Sequence, residues 1–199
     1  MTGVSEQPDG RRTVAPDPYG RWIVAANYLT SVPDFADRGD VAAAVRELAE
    51  YCGDQGAPSW DPVYDPMIAR LRERLVPEGR SLFDLFAYPS GSQPDLRAAA
   101  EVAEALAAAA RRIEPLLDPR EALARVVQPV HILHGRSDRL IPSSEATKLQ
   151  QALPQTTRSH LTITRLLAHS AQSPLPSLLH AVHEVPVFAR ALSDLLAVP

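Results

Sequence analysis

Cysteine is almost absent: Cys52 stands alone in 199 residues. No intrachain disulfide can form, which excludes the stapled framework of small secreted domains and suits a reducing compartment. Excess positive charge is absent too. With 20 basic residues against 24 acidic ones the net charge is −4, so there is no field to attract a polyanion, and nucleic acid is excluded as the expected partner. Arg11-Arg12 and Arg111-Arg112 read as solvated surface. No apolar run reaches the roughly 20 residues that a membrane helix needs. The first twelve residues are polar and lack the apolar core of a signal peptide. The expectation is a cytoplasmic chain without a membrane span.

Apolar residues make up 45% of the chain and charged residues 22%, enough for one domain core with an accessory layer. Residues 1–19 carry Gly3, Pro8, Gly10, Pro16 and Pro18 among polar neighbours, which predicts a disordered or looped tail. Residues 21–29 hold an apolar cluster (Trp22, Ile23, Val24, Tyr28, Leu29) whose periodicity fits either a helix or a strand. Asp40 reads as the N-cap of a helix over 41–51, with Val41, Val45, Leu48 and Ala49 on one stripe. Cys52, at the end of that stripe beside Tyr51, reads as a buried structural thiol.

Further helices follow from local chemistry. Asp65-Pro66 places a proline in a first helical turn, ahead of Ile68, Leu71 and Leu75 at helical spacing. Residues 80–88 supply Leu82, Phe83, Leu85 and Phe86, too short a helix to stand without neighbours. Asp95 opens an Ala-rich segment to about residue 117 of high helix propensity. Asp118-Pro-Arg-Glu121 resembles a capping box that starts a helix to residue 125. Trp22, Tyr28, Trp60, Tyr64, Phe83 and Phe86 have the spacing of core residues rather than of pocket walls.

The densest information lies in Gln128-Pro-Val-His-Ile-Leu-His-Gly-Arg-Ser-Asp-Arg-Leu-Ile-Pro142 and, about twenty residues on, Thr162-Ile-Thr-Arg-Leu-Leu-Ala-His169. Each reads as a short buried strand that delivers one polar residue at its carboxyl end. Pro129 can only open the first strand, and Gly135 with Asp138 marks the turn out of it. In open parallel sheets ligands and catalytic groups collect at that edge. A helix over 143–153 has the length for a right-handed crossover that brings both strand ends to one side.

The order of strand, Gly-x-x-Asp turn, helix, strand and His resembles the C-terminal third of the α/β-hydrolase family, over roughly residues 120–199. The resemblance carries over to two residues. It implies that His169 is a general base and that Asp138 fixes its tautomer and stabilises the imidazolium. Residues 20–117 look loosely like the helical cap that many such enzymes insert ahead of the acid strand. The expected fold class is therefore α/β, a partial α/β-hydrolase fold: a polar tail over 1–19, a mostly helical cap-like region over 20–125, and a small parallel βαβα segment over 126–199.

The family's nucleophile elbow, Gly-x-Ser-x-Gly, needs glycines four apart. None of the nine here are so spaced; Gly53 and Gly56 are three apart. A Gly-Gly pair for an oxyanion loop is lacking as well, and neither Ser137 nor Ser170 sits on an elbow. The sequence thus holds two members of a triad without the third. Two readings account for this. The favoured one is a truncated hydrolase whose intact form cleaves a small-molecule carboxylic ester or amide; the alternative is a non-catalytic interaction module derived from one. Neither requires a metal or an organic cofactor, and neither fixes an oligomeric state. His131 and His134, two apart on one strand, read as packed or solvated rather than as a paired metal site, and His180 and His183 as surface residues of the last helix. Glu145 suits the dipole of its helix's first turn.

Overall fold

Helix-forming chemistry dominates the first half of the chain, and its caps are visible residue by residue. In the computed structural model, which describes residues 4–7, 10–13, 17–55, 57–136, 138, 140–167 and 178–196, the chain divides into two units. One is Pro16–Leu117; the other combines Thr2–Ala15 with Asp118–Pro199.

In the first unit, Asp17 caps helix α1 (Pro18–Tyr28) by accepting from the Tyr19 N–H at 3.0 Å, with Pro18 in the first turn. A missing N–H costs nothing there, since the first helical donors have no intrahelical partner. The apolar cluster that periodicity left open is thus helical. Helix α2 (Gly39–Gln55) begins one residue before Asp40. Asp40 accordingly lies in the first turn, where its charge favours the helix dipole, and is not the cap. Helices α3 (Asp65–Arg74), α4 (Pro77–Phe86) and α5 (Leu96–Ile113) follow. Asp95 caps α5 through the N–H groups of Arg97 and Ala98.

These helices bury one continuous apolar cluster that includes Trp22, Leu29, Val41, Val45, Leu48, Tyr64, Leu71, Phe83 and Leu106. Trp22 donates its indole N–H to the Phe86 carbonyl at 2.9 Å, and Tyr64 donates to the Ala57 carbonyl at 2.8 Å. Each buried aromatic therefore has its polar tip satisfied. Five of the six aromatics named from sequence are core residues, and Trp60 is the exposed one. Cys52 is buried, and desolvation holds its thiol above the ordinary value, partly offset by the hydrogen bond with Tyr64.

The second unit contains two sheets. Strands β1 (Val4–Gln7) and β2 (Gly10–Thr13) pair antiparallel in the segment whose composition suggested a loose tail. A two-residue connection is enough for such a pair, and a composition argument does not detect it. After the short helix α6 (Arg120–Leu123), strand β3 (Val130–Gly135), helix α7 (Ser143–Gln151) and strand β4 (Ser159–Thr164) form a parallel crossover. Residues 130 to 135 pair in register with 159 to 164. Helix α8 (Leu178–Leu196) closes the described chain and contains Pro186.

The cap position of α6 falls at Pro119, one residue after Asp118; the Asp118 Oδ1 nonetheless accepts from the Arg120 N–H at 3.4 Å as well as from the Arg120 guanidinium. The apolar pattern places the second strand over Leu161 to Leu166, whereas β4 runs from Ser159 to Thr164: Ser159 and His160 continue the ladder although they are polar.

The register fixes which side chains share a face, since directly paired residues of parallel strands project to the same side. His131, Leu133, Gly135, His160, Thr162 and Thr164 lie on one face. Val130, Ile132, His134, Ser159, Leu161 and Ile163 lie on the other. Helix α7 reaches the second face through Gln150, which donates to the Ser159 hydroxyl at 3.4 Å. Helix α8 reaches the first through Glu184 and Thr164. The two strands thus have one helix on each side, as a parallel pair requires, while His160 stays exposed on the first face. Among the described residues, no helix is long and apolar enough to cross a membrane.

Candidate active site at the carboxyl edge of the parallel strands

Both strands of the parallel pair end at one edge, and their exits are tied together. The Arg136 N–H donates to the Thr164 carbonyl at 2.7 Å, carrying the ladder one bond past β3. Beside it, Gly135 meets the segment leaving β4 at close range: a Cβ at Gly135 would sit 2.5 Å from the Leu167 carbonyl oxygen. Only glycine permits that approach, because the obstacle is backbone and cannot rotate aside. The glycine that sequence reading assigned to a turn therefore also serves as a contact surface.

Three residues after Gly135, Asp138 is half-buried in the turn that leads to α7. Its N–H donates to the Gly135 carbonyl at 3.3 Å, and its Oδ1 accepts from the Leu140 and Ile141 N–H groups, each at 2.9 Å. This Asx turn has two consequences. It satisfies backbone donors that precede a helix, and it fixes the plane of the carboxylate against the rigid end of β3. A carboxylate that orients a histidine needs such a fixed plane.

His169 lies outside the described residues, as do Ser137 and Ser170. Leu167 abuts Gly135, so the described segments that follow β3 and β4 leave the sheet at the same place.

The edge also holds a second carboxylate, which sequence reading missed. Glu184 of α8 accepts through Oε2 from the Thr164 hydroxyl at 2.7 Å and from the Arg165 N–H at 3.1 Å. Thr164 is fully buried, and its Oγ1 in turn accepts from the Leu166 N–H at 3.1 Å. The Thr164 hydroxyl bond is the main reason that Glu184 is held below the usual carboxylate range. The Arg165 N–H and the charges of Arg136 and Arg165 act in the same sense, against a desolvation penalty. Two signals for this cluster were present in the sequence. Thr164 ends a strand in which apolar and polar residues alternate from Leu161 onward, and Glu184 is the one acid among residues 178–193 of α8.

The remaining histidines occupy other places. His134 is on the α7 face of the sheet, with Nδ1 donating to the Gly135 carbonyl at 2.9 Å, a packed position rather than a catalytic one. His131 faces the opposite way and pairs with His160. For His180 and His183 the side chains lie outside the described residues. Among the described residues no group of three or more His, Cys, Asp and Glu converges as a metal site would require. No family model, curated protein or solved structure matches the chain.

Proposed function

We propose that this chain carries the acid and base half of a serine hydrolase of the α/β-hydrolase type, with Asp138 orienting His169. Cleavage of a carboxylic ester or amide would proceed through a covalent acyl intermediate. The observation that supports this most is the joined exit of the two parallel strands. Gly135 packs against Leu167, so a turn that fixes a carboxylate and a connection that bears a histidine share one sheet edge. Edges of this kind collect catalytic groups because the connections there are anchored by strands yet open to a ligand.

In this mechanism the His169 imidazole removes the proton from a nucleophilic hydroxyl and later returns it to the leaving group. Asp138 holds the imidazole in the tautomer that can accept that proton. The nucleophile comes from an elbow that the 199 residues do not contain, since no two glycines here are four apart. By itself the chain is therefore expected to be inactive as an esterase.

The test is to translate the coding DNA upstream of Met1 in the same frame and express the extended protein. A frame containing Gly-x-Ser-x-Gly should yield hydrolysis of a p-nitrophenyl ester. Asp138→Asn should then lower kcat by about 10⁴-fold, the scale set by loss of the correct tautomer in serine hydrolases. An upstream frame closed by a nearby stop, or turnover unchanged by Asp138→Asn, would contradict the assignment.

A further inference from the structure

The face of the sheet that receives Glu184 carries a second feature at its other end. His131 of β3 and His160 of β4 are direct partners in the parallel register, and their rings lie side by side with centroids 6.1 Å apart and planes inclined by 51°. Neither is sealed in the core: His131 is half-buried and His160 exposed. His134 stands on the opposite face and takes no part.

We infer that His131 and His160 form a two-imidazole site for a divalent transition-metal ion of the copper(II), nickel(II) and zinc(II) class. The span supports this. Metal–nitrogen bonds are about 2.0–2.1 Å long and a ring nitrogen lies roughly 1.2 Å from its ring centre. An ion shared by two imidazoles therefore holds the centroids about 5–6.5 Å apart, from a tetrahedral to a linear arrangement. The observed 6.1 Å falls inside that window. The strand backbones are already fixed by the ladder, so the second imidazole binds as an intramolecular partner once the first has bound.

The ligand set determines the ion. Neutral imidazoles suit borderline ions and discriminate against calcium and magnesium, which take oxygen donors. Because no third His, Cys, Asp or Glu joins the pair among the described residues, water fills the remaining positions and the bound ion stays exchangeable. Affinity should follow the order of these ions toward nitrogen donors, copper(II) highest. Bridging β3 to β4, the ion acts as a clip on the strand pair and stabilises the folded state by mass action.

The experiment is a calorimetric titration of the metal-free 199-residue chain with copper(II), nickel(II) and zinc(II), with a parallel NMR record of the imidazole carbon–hydrogen signals under substoichiometric nickel(II). One ion per chain should bind, and the His131 and His160 signals should broaden together. His131→Gln and His160→Gln should each weaken binding at least tenfold, and the double variant should be little worse than either single one, as expected when both residues serve one site. His134→Gln and the pair His180→Ala with His183→Ala should leave it unchanged. Broadening centred on His180 and His183, or binding that survives His160→Gln undiminished, would overturn the inference. The NMR record on the unaltered chain decides the matter even if a variant folds poorly.

Discussion

Glu184 shows how much one side chain can determine at this sheet edge. Its carboxylate accepts from the Thr164 hydroxyl and the Arg165 N–H, and these bonds hold it below its ordinary value of 4.5. The unfolded chain therefore binds this proton more readily than the folded one. The stabilising contribution is complete above that ordinary value and is lost as pH falls through the folded-state value. Acid unfolding followed by circular dichroism should show the consequence: Glu184→Gln, which keeps an acceptor but no charge, should flatten the acid limb of stability against pH. An acid limb identical to that of the parent chain would show that the contact does not form. Thr164→Val is sterically similar, yet it removes a buried donor and acceptor together. A cost of about 1–3 kcal/mol is expected from the loss of a hydrogen bond to a charged group, measured as a shift in denaturant midpoint at constant m-value.

At the level of elements, the β3 exit depends on the absence of a side chain. Gly135→Ala would drive a methyl carbon into the Leu167 carbonyl, at 2.5 Å where no real Cβ contact occurs. Overpacking of this type costs about 1–3 kcal/mol. The strain falls on the segment that leaves β4, so Gly135→Ala should lower the thermal midpoint and, if the proposed function holds, lower the turnover of the extended protein as well. Unaltered stability would mean that the two connections are not in contact.

What could be read from the sequence, and what could not, divides along the same lines. Helices announced by a cap or a proline, such as α5 behind Asp95 and α3 at Asp65-Pro66, were legible because the chemistry that starts them is local. The strands β3 and β4 were legible in order, since an apolar run and a glycine turn are likewise local signals. The partnership of Thr164 with Glu184 spans twenty residues, and the pairing of His131 with His160 spans twenty-nine. Both depend on register and on which face a helix covers, which no local pattern encodes. Asp138 was legible as a turn acid, whereas its pair of backbone donors emerged only with the loop's geometry.

For the molecule as a whole, the two units differ in how they are held. The large apolar cluster lies entirely within Pro16–Leu117. In the second unit, buried apolar residues are few among the described ones: Ile132, Ala146, Leu153 and Ala191. Buried polar groups accompany them there, namely Ser143, Thr157, Thr162 and Thr164. Hydrophobic burial contributes about 25 cal/mol per Å², so the first unit should be the more stable. Native-state hydrogen exchange should show the amides of α1 and α2 opening at higher free energy than those of β3 and β4. Equal protection throughout would indicate a single cooperative unit.

The central claim is that Asp138 and His169 act as a pair, and one imidazole proton tests it most directly. In the 199-residue chain the His169 Nδ1–H should donate to the Asp138 carboxylate and give its own slowly exchanging, far-downfield NMR signal, since the carboxylate fixes that tautomer. Asp138→Asn should abolish the signal. His169 ring signals and tautomer that are the same with and without the Asp138 carboxylate would contradict the pair, and with it the hydrolase assignment.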